Sequence, residues 1–351
     1  MIAYICLVLG LTIFASALGN FLILSFAKTL GIRNKNNILI RWSNESKPSL
    51  GGVSLYIVFL FSALISLLIY NKEISGMDVE FIGLILAATA GFAMGIADDA
   101  YDTKPLLKLL VQIICGVIFV FSGNVLNVTD MDWLNYILTI LWVLTLMNSL
   151  NMLDNMDGIT GTTCVFVLIT CLFVHWLDAG VVLDLWSVLI LSFIGTLVGF
   201  LFFNVHPSRI FMGDGGSQLV GVIVAFFTCK FLVNSQPLED GFNGLGVVLA
   251  LVALTPSAVD TLTVVINRLK KGQSPMVGGK DHTTHHMVYA GLNDFKVWLV
   301  FVLIGFLSCI MTVFIRQFYP QNGLLALLLG LAFFLLVFSL LYKNTIKYKA
   351  P

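Results

Sequence analysis

Eleven apolar stretches, about 2 to 27, 51 to 70, 78 to 97, 105 to 123, 134 to 150, 160 to 177, 185 to 205, 216 to 233, 243 to 267, 295 to 315 and 323 to 342, run through this chain with only short polar breaks between them. Crossing the hydrocarbon core of a bilayer takes about 20 such residues. A segment in lipid must satisfy its own backbone, and these runs are far too long for alternating barrel strands, so each predicts a membrane-spanning helix. Composition agrees: 58% of the 351 residues are hydrophobic and 11% are charged, where a soluble domain carries about a quarter charged residues. The expected fold class is therefore all-α, a polytopic membrane protein forming a single domain over residues 1–351. The first stretch has no basic residue before it and meets Lys28 only at its far end, which favours a first span over a cleaved leader.

Orientation follows from the basic residues of the short loops. With the N-terminus outside and the C-terminus cytoplasmic, the inner side holds Lys28, Arg33, Lys35, Arg41, Lys47, Lys104, Lys108, Arg209, Arg268, Lys270, Lys271, Lys280, Lys296, Lys343, Lys347 and Lys349. Only Lys72, Lys230 and Arg316 fall outside. Cys6, Cys115, Cys164, Cys171, Cys229 and Cys309 all lie in predicted spans without paired spacing and read as small apolar fillers. The zero formal net charge gives no sign of nucleic-acid binding.

The same topology gathers the unusual polar residues on the cytoplasmic side, in loops at about 28–50, 97–105, 148–160, 204–216 and 268–294. Interfacial solvation would account for one acidic loop. Four Asp-bearing loops on one face instead point to a site, since carboxylates near membrane depth are costly. Asp98, Asp99 and Asp102 close the third span; if the helix continues, Asp98 and Asp102 stack at i, i+4, where like charges repel unless a cation relieves them. Lys104 and Lys108 are near, and Pro105 suits the first turn of the next helix, placing Lys108 one turn inside it.

In "NSLNMLDNMDGITG", residues 148 to 161, Asn148, Asn151 and Asn155 share a helical face while Asp154 and Asp157 drift off it. All can face inward only if the helix tightens or breaks near Gly158. Oxygen-rich side chains without Cys or His suit a hard cation such as Mg²⁺, shared with substrate phosphates. In "FMGDGGSQLVG", Gly213 and Asp214 precede an apolar helix, whose N-terminal N–H groups are a ready phosphate site; the alternative is a plain structural turn. No Walker pattern is present, which excludes a P-loop ATPase. "DHTTHH" brings His282, His285 and His286 among Arg268, Lys270, Lys271 and Lys280. Three histidines at that spacing can bind zinc, but without Cys and in basic surroundings they favour anion contact. Together these groups equip metal-assisted phosphoryl transfer.

"GIADDAYD", "NSLNMLDNMDG", "FMGDGGS" and "SPMVGGKDHTTHH", in this order, resemble the signature loops of the polyprenyl-phosphate N-acetylhexosamine-1-phosphate transferases, over about residues 47 to 291. The resemblance implies an enzyme of the bacterial cytoplasmic membrane, with its active site on the cytoplasmic face. It would pass the sugar-1-phosphate of a UDP-N-acetylhexosamine, UDP-N-acetylglucosamine first, to undecaprenyl or another polyprenyl phosphate, releasing UMP. The cofactor implied is Mg²⁺, with Mn²⁺ as an alternative, and a second copy of the chain is a candidate partner.

Carried over by motif, Asp98, Asp99, Asp154 and Asp157 take the catalytic positions, and Lys108, which Pro105 phases toward the same surface, is a catalytic candidate beside them. Asp214 and Asn151 take the metal positions. Lys47, Asn151, Arg268, His282, His285 and His286 take the substrate positions, Lys47 approximately, through "KPSLGG"; Asn148, on the face of Asn151, and Gly213, before Asp214, are substrate candidates with them. "DNMDG" departs from the family's "DGLDG" at Asn155. "DHTTHH" differs from the "HHH" run of the phospho-N-acetylmuramoyl-pentapeptide branch, which favours the simple N-acetylhexosamine branch.

The competing class is an ion-coupled transporter, which would place its carboxylates near mid-span rather than at one mouth. A CDP-alcohol phosphatidyltransferase would need an Arg after Asp157-Gly158 that "ITGTTC" lacks. Asp with an ordinary pKa of about 3.9 is a poor proton acceptor for a phosphate monoester already mostly dianionic at pH 7. Direct attack by the lipid phosphate is therefore expected, with a covalent aspartyl-phosphate as the alternative.

Overall fold

The computed structural model describes residues 2–29, 47–70, 79–180, 183–235, 241–274 and 278–349. Arg33, Lys35, Arg41, Lys72 and most of the 28–50 loop lie outside the described residues. Within them the chain forms thirteen α-helices: α1 Ile2–Thr29, α2 Gly51–Tyr70, α3 Val79–Tyr101, α4 Pro105–Phe121, α5 Asp132–Leu153, α6 Ile159–Ala179, α7 Leu185–Asn204, α8 Gly213–Thr228, α9 Gly244–Ala253, α10 Thr255–Lys270, α11 Thr283–Tyr289, α12 Asp294–Phe318 and α13 Gly323–Lys347. A π-helical turn, Cys229–Val233, extends α8. No strand is present among the described residues, only an isolated antiparallel bridge between Thr129 and Phe242.

Each of the eleven apolar stretches becomes helix. Among the described residues nine helices are long and apolar enough to cross a membrane, α8 being counted with its π turn, and α4, at 17 residues, is a shorter apolar helix. The ninth stretch departs from a straight span: it is divided into α9 and α10, which meet at 83°. Pro256, in the first turn of α10, explains the break, because proline lacks an N–H and its ring displaces the preceding turn.

α8 is the axis of the bundle, its residues from Gly215 to Thr228 all buried. Around it pack α3, α5, α2 and α6. Small residues allow the close approach that bilayer helices need. A Cβ at Gly95 on α3 would lie 2.2 Å from the Asp214 carbonyl oxygen, and one at Gly52 on α2 would lie 2.2 Å from the Gly216 nitrogen. These crossings fix the end of α3, with Asp98 and Asp99, against the first turn of α8, with Asp214. On the outward faces, Leu106, Leu110 and Ile114 of α4 and Leu303, Phe306 and Ile310 of α12 are exposed, as expected of side chains solvated by lipid.

Candidate active site

One cavity of about 880 Å³ opens where the ends of α3, α5, α8 and α10 meet the start of α4. It is lined by every residue singled out in the sequence as a site candidate except His286.

At its centre is the Lys108 ammonium. Pro105 opens α4 and Lys104 precedes it in extended backbone, so Lys108 faces inward one turn later. Its Nζ donates to Asp98 Oδ2 at 3.0 Å, Asp214 Oδ2 at 2.9 Å and Asn151 Oδ1 at 3.3 Å. Asn151 Nδ2 donates in turn to Asp214 Oδ1 and to Ser217 Oγ, both at 2.8 Å. Asp98 Oδ1 accepts from the Thr103 hydroxyl at 2.6 Å and the Thr103 N–H at 3.0 Å. The expected stacking of Asp98 with Asp102 does not occur: α3 ends at Tyr101, and Asp102 is exposed with φ 51°. The chain turns sharply there so that Thr103 folds back onto Asp98.

The glycine-rich turn has two tasks. Gly213 takes φ 73°, and a Cβ there would approach Asp99 Oδ2 to 2.8 Å. The Gly215 N–H donates to Asp99 Oδ2 at 3.1 Å. The first turn of α8 is thus an anion-attracting helix end, with the Asp99 carboxylate already against it.

α5 ends at Leu153, so the break comes before Gly158, which takes φ 77°. Asn148 and Asn151 remain on the helix, but Asn155 leaves their face. Its Oδ1 accepts from Thr284 Oγ1 at 2.6 Å, joining the end of α5 to α11. Asp154 lies at the break, where burial, followed by the charge of Asp214, pushes its carboxyl up to about 7. Asp157 is a structural clasp: it accepts from the Ser208 N–H at 3.0 Å and the Ser208 hydroxyl at 2.8 Å, with His206 Nδ1 at 3.3 Å. Lys47 Nζ stands 4.0 Å from the same carboxylate and donates to Ser208 Oγ at 3.3 Å.

The basic loop is organised by acids that the sequence reading had not singled out. Arg268 makes a two-pronged pair with Asp281, at 2.8 and 2.6 Å. This pair outweighs the burial of Asp281 and holds its carboxyl below the usual range. His282 Nδ1 lies 2.8 Å from Asp260 Oδ2, while Asp260 Oδ1 accepts from the Thr283 N–H and hydroxyl. Burial and the neighbouring His282 push His285 down to about 3, so its ring is neutral at pH 7. His286 turns away from the cavity, its Nδ1 hydrogen-bonded to the Tyr348 carbonyl at the end of α13.

Gln112 had a signal in the sequence, a single polar side chain inside the apolar run "LLVQII"; Asp260 is the one acid of the ninth stretch, and Gln218 opens the apolar part of α8. His206 and Asp281 had none beyond their neighbourhood.

Could these residues hold a divalent cation? Asp98 Oδ2, Asp214 Oδ2 and Asn151 Oδ1 converge within 2.9 to 3.3 Å of one point, now the Lys108 nitrogen. The donors are all oxygen. Among the described residues no group of three His, Cys, Asp or Glu is arranged to hold a metal by itself. Two carboxylates and an amide match the way Mg²⁺ is usually held, by one or two carboxylates with substrate phosphates completing its shell.

The fold and the site define a multi-helix membrane protein with a carboxylate-lined cavity at one end of its bundle, and known proteins resemble it over that region. The glycosyl transferase family 4 model matches residues 81–232, which hold Asp98, Asp99, Lys108, Asn151, Asp154, Asp157 and Asp214. The chain is 26% identical to the undecaprenyl-phosphate alpha-N-acetylglucosaminyl 1-phosphate transferase of Haemophilus influenzae, over 94% of its own length and 93% of the relative's. It is 28% identical to a probable undecaprenyl-phosphate N-acetylglucosaminyl 1-phosphate transferase of Bacillus subtilis, over 77% of this chain and 74% of the relative. A phospho-N-acetylmuramoyl-pentapeptide-transferase of B. subtilis is 23% identical over 77% and 83%. Residues 81–232 thus match the glycosyl transferase family 4 model, and over most of its length the chain is similar to N-acetylglucosaminyl 1-phosphate transferases.

Proposed function

We propose that this chain is a polyprenyl-phosphate sugar-phosphate transferase that moves N-acetylglucosamine-1-phosphate from UDP-N-acetylglucosamine to undecaprenyl phosphate, releasing UMP and starting a lipid-linked envelope glycan. The activities for which the H. influenzae and B. subtilis relatives are named support the acceptor and the sugar. The basic bias of the loops supports an N-terminus outside and a site on the cytoplasmic face of the inner membrane, where a nucleotide sugar is available.

The observation that carries the reading is Lys108, held between Asp98 and Asp214 beside Asn151. This charge-dense centre lies in a cavity whose lining also includes the apolar Leu109, Leu144 and Val265. Such a site suits a substrate that is phosphate at one end and hydrocarbon at the other. It lies at the ends of α3 and α8 rather than at mid-helix, which argues against a transport path.

In the reaction, an oxygen of the lipid phosphate attacks the sugar-linked phosphorus. The bond from that phosphorus to the bridging oxygen breaks, and UMP leaves with the electron pair. Lys108 offsets charge on the phosphate oxygens, an effect strengthened by the low-dielectric cavity. Asp98 and Asp214 orient the ammonium, and Asn151 orients Asp214. Asp154, near pKa 7, is the carboxylate best matched to accept a proton at neutral pH. A divalent cation held by Asp98, Asp214 and Asn151 would take the point the Lys108 ammonium fills, displacing it toward the substrate phosphates, and would supply charge neutralisation there. The remaining candidates, Asp99, Lys47 and Gly213, line the same cavity.

The test is a donor panel. Purified protein with Mg²⁺ and undecaprenyl phosphate is given UDP-N-acetylglucosamine, UDP-N-acetylgalactosamine or UDP-N-acetylmuramoyl-pentapeptide, and the lipid product is weighed by mass spectrometry. The expected product is the N-acetylglucosamine lipid diphosphate; turnover of the pentapeptide donor alone would move the chain to the other branch.

A further inference from the structure

One helical turn beneath Lys108, Asn151 and Asp214, the same three helices carry a second polar layer. Gln112 follows Lys108 by four residues on α4, Asn148 precedes Asn151 by three on α5, and Gln218 follows Asp214 by four on α8. Each therefore shares a face with the site residue above it. The second layer is bonded as the first is. Gln112 Nε2 donates to Asn148 Oδ1 at 3.2 Å and to Gln218 Oε1 at 3.0 Å, and Asn148 Nδ2 donates back to Gln112 Oε1 at 2.8 Å. Asn148 Nδ2 also donates to the Leu144 carbonyl at 2.8 Å.

Gln112 is 1% exposed and Gln218 is fully buried. An amide buried among apolar helices is costly unless paired, and pairing demands a defined geometry. A slide of one helix by a single residue, about 1.5 Å along its axis, would break the amide layer. The same slide would draw Lys108 away from Asp98 or Asp214. Apolar contacts alone do not penalise such a slide as sharply, since they are non-directional.

We propose that Gln112, Gln218 and Asn148 form a positioning layer. It locks the register of α4, α5 and α8 and so holds the Lys108 ammonium between the carboxylates. These are positioning residues, acting through Lys108 and Asp214. Asn148, a substrate candidate from sequence, belongs to this layer because its amide bonds are made to Gln112 and to its own helix.

The inference rests on the transferase reading above. Its test compares wild type, Gln112→Leu and the double variant Gln112→Leu/Gln218→Leu in detergent, reading kcat and KM for UDP-N-acetylglucosamine by UMP release alongside the thermal midpoint. Gln112→Leu leaves polar groups of its partners unpaired and lowers both stability and kcat. The double variant removes the Gln218 amide that Gln112→Leu leaves unpaired, which restores part of the stability, while Asn148 keeps its bond to the Leu144 carbonyl. The expected result is that kcat stays down about 10- to 100-fold in the double variant, as for a small misplacement of reacting groups, with KM within about twofold. Recovery of kcat together with the midpoint would show packing alone and overturn the proposal, as would a raised KM at unchanged kcat. Should Gln112→Leu fail to fold, Gln112→Asn, one methylene shorter, is read by the same criteria. Wild type that released no UMP would overturn the transferase reading itself; an active wild type with an unimpaired Gln112→Leu variant overturns the positioning layer alone.

Discussion

Lys108 Nζ lies 2.9 Å from Asp214 Oδ2, across 106 residues of sequence, while its other side donates to Asp98 Oδ2 at 3.0 Å. One ammonium thus ties the end of α3 and the start of α8 to α4. Lys108→Met keeps most of the side-chain volume and removes the charge, leaving two carboxylates facing each other. The expected outcome is a fall in kcat of about 100-fold or more, the scale for losing one electrostatic stabiliser. Lys108→Arg should rescue little, because a planar fork cannot replace a point charge between three oxygens. Steady-state UMP release checks both; an Arg variant with wild-type kcat would contradict the geometry.

Asp154 gives the pH dependence of turnover. With its carboxyl pushed up to about 7, it is mostly protonated at pH 6 and mostly ionised at pH 8. As a base it predicts kcat rising through pH 7. Asp154→Asn should lower kcat by about 10² to 10⁴, the range for general-base removal, and flatten that limb. A variant that kept the rising limb would assign it to another group.

His285 makes an opposite prediction, about stability. Its pKa falls from 6.5 to about 3 on folding, so between those values the unfolded chain binds the extra proton. Stability from this group is present above about pH 6.5 and is lost as pH falls toward 3. Asp154, raised on folding, contributes with the reverse slope from about pH 4 to 7, so only a difference between proteins is diagnostic. The thermal midpoint of His285→Gln should fall less than that of wild type between pH 7 and pH 4.5. Equal slopes would show that the ring is not held neutral.

Asp157 separates a clasp from a catalyst. Its bonds to Ser208 and His206 hold the loop after α7, which carries Phe211 and Gly213 into the cavity. Asp157→Ala should raise KM for the nucleotide sugar and lower the thermal midpoint more than it lowers kcat. A pure loss of kcat at unchanged KM and midpoint would place Asp157 in the chemistry instead.

Much of this was legible in the sequence because the constraints are local. Apolar runs of membrane length predict helices whatever they pack against, and Pro105 sets the phase that aims Lys108 inward. The bend at Pro256 was readable too, from a proline inside an apolar run, and was submerged by the hydropathy of its flanks. What could not be read is pairing across the fold. Nothing near Arg268 in sequence reveals that Asp281 occupies both prongs of its guanidinium, or that His286 reaches the Tyr348 carbonyl. Gln112 and Gln218 look like stray amides until α4 and α8 are set side by side.

The central claim is sugar-phosphate transfer to a polyprenyl phosphate, and the most direct measurement follows both products at once. Purified protein with Mg²⁺, undecaprenyl phosphate and UDP-N-acetylglucosamine should release UMP and form undecaprenyl-diphosphate-N-acetylglucosamine in a one-to-one ratio. Both should be absent when the lipid is omitted, and both should be strongly reduced in Asp214→Asn. Absence of UMP from the complete mixture, or release of UMP without the lipid product, would contradict the account.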